Sequence, residues 1–213
     1  MVSGERSESR GKFIMIRHGE SEGNRERRFT ISPDVPLTEV GRHQAHEAAA
    51  RIARHFQPQR IISSPYARAR QTSEIIAREL KLPVEIVQRL HERDLGVLRG
   101  HSYDKLREAV RLDPSYDPAN GWAWKPEGGE SYHDVQRRVI AAIEDLRARY
   151  RESEVVIVSH GGVMLAVWAH IVGQWHGAHL PPNCGIVLVE HDRDRMYEPR
   201  IIEPTTGGSG ELG

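Results

Sequence analysis

Two short apolar runs, each cut off by a histidine and a glycine, constrain this chain more than any other feature. Phe13-Ile14-Met15-Ile16 stops at Arg17-His18-Gly19-Glu20, and Val155-Val156-Ile157-Val158 stops at Ser159-His160-Gly161-Gly162. Consecutive apolar residues bounded by a glycine turn read as a strand buried on both faces. Such strands belong to parallel sheets covered by helices on both sides. In open α/β sheets ligands bind outside the carboxyl ends of the strands, where both histidines fall. One of them has an arginine in front, so the pair points to an anion and to phosphoryl chemistry on histidine.

The sequence between the two runs alternates strand and helix. Residues 37–56 carry a helical stripe at Ala45, Ala48, Ile52 and Phe56, opened by Thr38 as N-cap. Arg60-Ile61-Ile62-Ser63 reads as a strand, and 66–80 as a helix burying Ala69, Ser73, Ile76 and Leu80. Val84-Glu85-Ile86-Val87 alternates as a strand does. Residues 131–150 form the clearest helix, with Ser131 and Asp134 as a capping box and Val135, Val139, Ile143, Leu146 and Tyr150 on one side. A helix over 162–172, a strand at Ile186-Val187-Leu188-Val189 and an edge strand at 199–202 complete the pattern. The fold expected is a three-layer α/β/α sandwich with a mostly parallel central sheet, over residues 12–203. Flexible tails are expected at 1–11 and 204–213.

Residues 101–129 break the rhythm as an insert after the third strand. A short amphipathic stretch, Tyr103 to Leu112, leads into a proline-, glycine- and aromatic-rich segment containing Trp122 and Trp124. Such a segment is a lid over a site or a patch held on the domain by its tryptophans.

Composition narrows the function classes. The 213 residues suffice for one sizeable α/β domain, and 30 Lys+Arg balance 30 Asp+Glu. That balance argues against nucleic acid or a membrane surface as partner, so affinity for phosphate must be local to a site. A lone cysteine, Cys184, fits a reducing cytoplasm and reads as a buried structural thiol. No signal-like or membrane-length apolar stretch is present. A cytoplasmic enzyme acting on a small phosphorylated substrate, alone or as a homodimer, is the expectation.

Four blocks then occur in order: Arg17-His18-Gly19-Glu20-Ser21, the stretch Ser63-Ser64-Pro65-Tyr66-Ala67-Arg68-Ala69-Arg70-Gln71-Thr72, Leu90-His91-Glu92-Arg93-Asp94-Leu95-Gly96, and Ser159-His160-Gly161-Gly162. Together with Pro36-Leu37-Thr38-Glu39-Val40-Gly41 they resemble the signature blocks of the histidine phosphatase superfamily, which contains the cofactor-dependent phosphoglycerate mutases. The resemblance selects Arg68 over Arg70 and implies that Ser21 and Asn24 contact phosphate oxygens. Gly161 and Arg93 complete the expected substrate-binding set.

The chemistry of a phosphomonoester supplies roles for these residues. Its dianion repels nucleophiles, so a site must neutralise it and align the attacking atom. Arg17 and Arg68 offer planar forks for the phosphate oxygens, and His160 a further donor. His18 is the expected nucleophile, kept neutral by the crowding arginines and oriented by a backbone carbonyl at the glycine turn. Glu92 is the expected proton donor to the leaving alkoxide and later the base that activates water. No metal or cofactor is called for. The pairs His43/His46 and His176/His179 lack the further ligands of a closed zinc site and read as surface histidines.

Against the mutase pattern, Leu95 stands where tyrosine is expected, Tyr103 where lysine is, Gly162 where asparagine is, and Ile31 where glycine is. The insert holds no tandem arginine pair. These departures favour a phosphatase over a mutase; a catalytically silent phosphoester-binding module is the alternative from another class, disfavoured because binding alone does not need Glu92. Arg93, Arg99 and Lys125 are either a rim that receives a second anionic group of the substrate or merely solvated surface charges.

Overall fold

The computed structural model describes residues 10–30 and 32–203. The expected tails and Ile31 lie outside these residues, except that Arg10 is described and Gly11 opens the first strand, where it is buried. The strands are β1 (Gly11–Arg17), β2 (Arg60–Ser63), β3 (Val84–Ile86), β4 (Glu154–Ser159), β5 (Ile186–His191) and β6 (Arg200–Ile202). The helices are α1 (Glu22–Arg25), α2 (Glu39–His55), α3 (Ala67–Leu80), α4 (Tyr103–Leu112), α5 (Tyr132–Arg149) and α6 (Gly161–Val172).

The strands form one sheet in the order β3-β2-β4-β1-β5-β6. The first four in that order run parallel, β5 is antiparallel to β1, and β6 is antiparallel to β5. Strand side chains alternate between faces, and here both faces are apolar because both are covered. Phe13, Met15, Val155 and Ile157 meet Val135, Val139 and Ile143 of α5 and Val163 and Val167 of α6. Ile14, Ile16, Val156 and Val158 point the other way, onto Ala49 and Ile52 of α2 and Ala69 and Ile76 of α3. Each fully buried aliphatic side chain of this kind stabilises the fold by about 1.5–3 kcal/mol. The two apolar runs are thus unbroken because each strand feeds two cores.

Local sequence sets where the helices begin and end. The Thr38 hydroxyl accepts from the Gly41 amide at 3.0 Å and caps α2. Ser131 and Asp134 cap α5 reciprocally, with Asp134 N–H donating to Ser131 Oγ at 3.1 Å and Ser131 N–H to Asp134 Oδ2 at 3.0 Å. Gly173, at φ 78°, ends α6 in the left-handed conformation that glycine adopts without steric penalty.

The register between β1 and β4 fixes the functional end of the molecule. Phe13 pairs with Val155 and Arg17 with Ser159, so two strands 142 residues apart in sequence stop at one level. His18 N–H continues the ladder by donating to Ser159 carbonyl at 2.9 Å. The insert contributes α4 and a 3-10 turn at Pro118–Ala123, neither with a buried residue. It is held at the aromatic end: Trp122 stacks on Trp175 at 4.9 Å and meets Tyr132 edge-on at 5.1 Å. Trp124 instead stays within the insert, donating from Nε1 to Asp113 at 2.8 Å. No helix among the described residues is long and apolar enough to cross a membrane.

Candidate active site

His18 and His160 leave adjacent strands at the same level, and their rings stand edge to face with centroids 5.2 Å apart. Both are buried. His18 Nδ1 lies 2.7 Å from Gly19 carbonyl, an acceptor only, so Nδ1 carries the proton. Nε2 is then the lone-pair nitrogen, and it accepts from Arg68 Nε at 3.1 Å. The ring is held well below the ordinary histidine pKa, first by burial and then by the Arg68 and Arg17 charges, while the Gly19 carbonyl opposes them. The arginines act in the direction the sequence suggests, and loss of solvation, which the sequence does not show, comes before them because the ring has only 3 % exposure.

The turn carrying His18 is braced by backbone approach. A Cβ on Gly41 would sit 2.1 Å from Glu20 carbonyl, and one on Gly19 would sit 2.4 Å from Gly41 carbonyl. Only glycines let the first turn of α2 pack against the His18 turn this closely, which accounts for Leu37-Thr38-Glu39-Val40-Gly41 being part of the pattern. Gly19 N–H donates to Thr72 Oγ1 at 3.0 Å, and Thr72 in turn donates to Arg68 carbonyl at 2.7 Å. The nucleophile turn and the arginine helix are thereby tied together.

Around His18 the cations have open donors. Arg68 is 2 % exposed, and its Nη1 is buried without a protein partner. Arg17 donates from Nη1 to Pro181 carbonyl at 3.0 Å, leaving Nε buried and unpartnered. His160 N-caps α6 and shares a 2.7 Å hydrogen bond between Nε2 and Ser64 Oγ. Ser64 Oγ accepts from Tyr66 N–H at 3.3 Å, so its own proton is available for His160 Nε2. That arrangement puts the His160 proton on Nδ1, which is buried and has no partner. Three unsatisfied buried donors beside one lone-pair nitrogen are costly without an anion to accept from them.

Glu92 faces this group from the third block. Its Oε1 accepts from Arg93 N–H at 2.7 Å and its Oε2 from Gly162 N–H at 3.3 Å, in the first turn of α6. A Cβ on Gly162 would lie 2.4 Å from Glu92 Oε1. A side chain at position 162 would have to displace the carboxylate end of Glu92 from this position. Arg138 pins the block to α5, donating to both Glu130 oxygens at 2.7 and 2.8 Å and to His91 carbonyl at 2.9 Å.

A cavity of about 530 Å³ opens over these residues, lined by Arg17, His18, Asn24, Arg68, Glu92 and Gly161 at its deep end. His160 and Ser21 are not among the residues that line it, and the Ser21 hydroxyl caps α1, accepting from Asn24 N–H at 3.4 Å. Asn24 reaches Tyr103 Oη at 3.4 Å and accepts from Asn183 at 3.2 Å. The three departures Leu95, Tyr103 and Gly162 all line the cavity. Of the rim cations, Arg93 lines it but donates to Glu130 and Trp124 carbonyls at 2.8 and 3.1 Å and lies over the Tyr132 ring. Arg99 is ion-paired with Asp94, and Lys125 is exposed and outside the lining. The four histidines weighed as zinc ligands are exposed, and no group of three or more metal-ligating side chains occurs among the described residues.

Sequence reasoning did not single out Asn183, Ser64 or Tyr66. Asn183 donates to His18 carbonyl at 2.9 Å from the Pro181-Pro182-Asn183 loop, and its neighbour Cys184, buried at φ 55°, donates to Arg17 carbonyl at 2.9 Å. The prolines signalled a turn there, but nothing local signalled what the turn would touch.

The chain is similar to known proteins over most of its length. The family profile described as histidine phosphatase superfamily (branch 1) matches residues 13–201. A protein named probable phosphoglycerate mutase GpmB, from Escherichia coli O1:K1, is 32% identical over 207 residues, covering 94% of each chain. Among solved structures, Bacillus stearothermophilus YhfR superposes with TM-score 0.78 at 27% identity, covering 88% of this chain and 95% of its own. A mycobacterial glucosyl-3-phosphoglycerate phosphatase in complex with VO3 superposes with TM-score 0.76 at 27% identity, covering 91% and 98%.

Proposed function

The chain belongs to the histidine phosphatase superfamily, and from that premise we propose that it hydrolyses small phosphomonoesters through a phosphohistidine at His18, without a metal. The observation that carries this reading is the fixed tautomer of His18: Nδ1–H on Gly19 carbonyl, and the Nε2 lone pair beside Arg68. The phosphoryl group takes its place among Arg17, Arg68 and His160, whose open donors meet its oxygens as charge-assisted hydrogen bonds. Nε2 attacks phosphorus as the ester P–O bond breaks, and a protonated Glu92 gives its proton to the departing alkoxide. The resulting carboxylate then takes a proton from water as the water oxygen attacks the phosphohistidine. Inorganic phosphate leaves, and Glu92 and His18 are restored.

Positive charge at the phosphate end is already supplied by the buried Arg68 and the half-buried Arg17, which lowers the need for a divalent ion. Activity should persist after exhaustive chelation, and vanadate or tungstate should compete with substrate. A strict requirement for added magnesium or zinc would overturn the metal-free scheme. The decisive experiment is a brief incubation with a ³²P-labelled phosphomonoester followed by denaturation: label should be on His18 and acid-labile.

The mutase reading has the name of the Escherichia coli relative in its favour. Against it stand Leu95, Tyr103 and Gly162, which face the cavity in place of the groups with which mutases hold a phosphoglycerate. Phosphoglycerate supplied with its bisphosphate primer should yield inorganic phosphate, not the isomer. Glu92 has no purpose in a module that only binds.

A further inference from the structure

Much of the rest of the cavity lining is apolar. Phe29 and Tyr103, whose rings pack at 4.8 Å, form its wall with Leu95, Leu106, Leu165 and Leu180. The cations that reach this end already have partners. Arg93 is held by two carbonyls and the Tyr132 ring, and Arg99 is paired with Asp94, whose carboxylate also lines the cavity. Arg28 donates to Gly100 carbonyl at 3.3 Å, and Arg107 to Asp104 at 2.9 Å. Two carboxylates, Glu92 and Asp94, share the cavity lining with these side chains. An anionic group on the alcohol would have to compete with these partners for the guanidiniums and come near Asp94. An apolar group can pack on the aromatic and leucine side chains without disturbing any pair.

We infer that the leaving-group end takes the ester of an uncharged, apolar alcohol, an alkyl or aryl phosphate, in preference to one that carries a carboxylate or a second phosphate. This rests on the phosphatase reading above and narrows it. It also favours the second of the two readings left open for Arg93, Arg99 and Lys125, that they do not form an anion-reading rim: two of those cations have protein partners and the third does not line the cavity.

The test separates binding at the wall from turnover. Calorimetric titration of the intact protein with n-alkylphosphonates of increasing length should show affinity rising roughly two- to fourfold per methylene, as for transfer of CH₂ out of water. Adding a terminal carboxylate to the same chain should weaken binding about tenfold or more. Affinity that is flat with length, or equal or tighter binding of the carboxylate series, overturns the inference. Hydrolysis of n-hexyl phosphate and 6-(phosphonooxy)hexanoate is then measured in parallel. If the phosphonates follow the trend and neither ester is hydrolysed, the phosphatase reading fails while the apolar wall stands. If both are hydrolysed at equal kcat/KM, the wall fails while the phosphatase reading stands. Leu106→Lys places a cation in the wall and should bring the two series close to parity; an unchanged preference would show that this wall does not read the alcohol.

Discussion

At the deep end of the cavity His18, Arg68 and His160 are all buried and each has a defined partner, whereas the outer end, from Leu106 and Arg107 to Leu180, is half-buried to exposed and belongs to an insert and a loop. The deep end hangs on strand register and backbone-to-backbone contact, so its geometry is over-determined. The outer end joins the domain through a few loop hydrogen bonds, Tyr103 N–H to Arg27 carbonyl at 3.1 Å and Phe29 N–H to His101 carbonyl at 2.9 Å, and through Trp122 stacked on Trp175. On the function proposed above, the chemistry that every substrate needs falls at the end set by the strands, and selection of the alcohol at the end that sequence change can remodel at small cost in stability.

The largest expected effect tests the deep end directly. His18→Ala should abolish both turnover and trapped phosphoenzyme, since the lone pair of the other histidine, His160 Nε2, is turned to Ser64 Oγ at 2.7 Å. Acid-labile phosphate on that variant would break the assignment. Glu92→Gln should still bind phosphate but slow single-turnover reaction of an alkyl ester by about 10²–10⁴-fold, the range for a general acid. A nitrophenyl ester, whose leaving group needs little protonation, should suffer less. Equal losses on both substrates would remove Glu92 from the role.

Gly162→Asn sits on the boundary between the two ends. Its Cβ would collide with Glu92 Oε1 and push the carboxylate out of line. The expected cost is about 10- to 10²-fold on alkyl esters, as for a misplaced catalytic group, with nitrophenyl phosphate far less affected. An unchanged ratio between the two substrates would show that Glu92 tolerates the displacement.

Acid should destabilise the buried part of the molecule selectively. Burial lowers His18 and His160 well below their ordinary pKa, and His191 to about 4, with the Arg147 charge adding to burial there. Because the folded-state values lie below the unfolded ones, the neutral rings are fully compatible with folding above the ordinary value of 6.5. Stability is then lost as pH falls from there toward 4. Urea unfolding between those limits should show this loss, and His191→Leu, at a site remote from the cavity, should reduce it. A steeper acid dependence in the variant would contradict the sign. The smallest effect belongs to the outer end: Trp122→Ala should cost about 0.5–1.5 kcal/mol beyond lost area. Denaturant midpoints check this, with phosphorylation of His18 by nitrophenyl phosphate little changed.

The strands, the long helices and their caps were legible because each depends on neighbours within a few residues. Thr38 and the Ser131–Asp134 box act across three positions, and the apolar runs at 13–16 and 155–158 report two-sided burial without any knowledge of what covers them. The motif residues were legible as well, since each block brings its own strand end or helix start with it. The role of Arg93 was not. Its charge was visible, but the carbonyls of Trp124 and Glu130 that hold it lie 31 and 37 residues away.

The sequence by itself determined that two histidines would end two buried strands and that arginines would stand near them, because periodicity and turn chemistry act along the chain. Only the tertiary structure decided that Gly162 makes room for Glu92, that Asn183 reaches back to the His18 carbonyl, and that the rim arginines are already paired. Those facts depend on contacts between segments up to 165 residues apart. Hydrogen bonds and steric exclusion at such separations follow from how the layers pack, which local propensity does not encode.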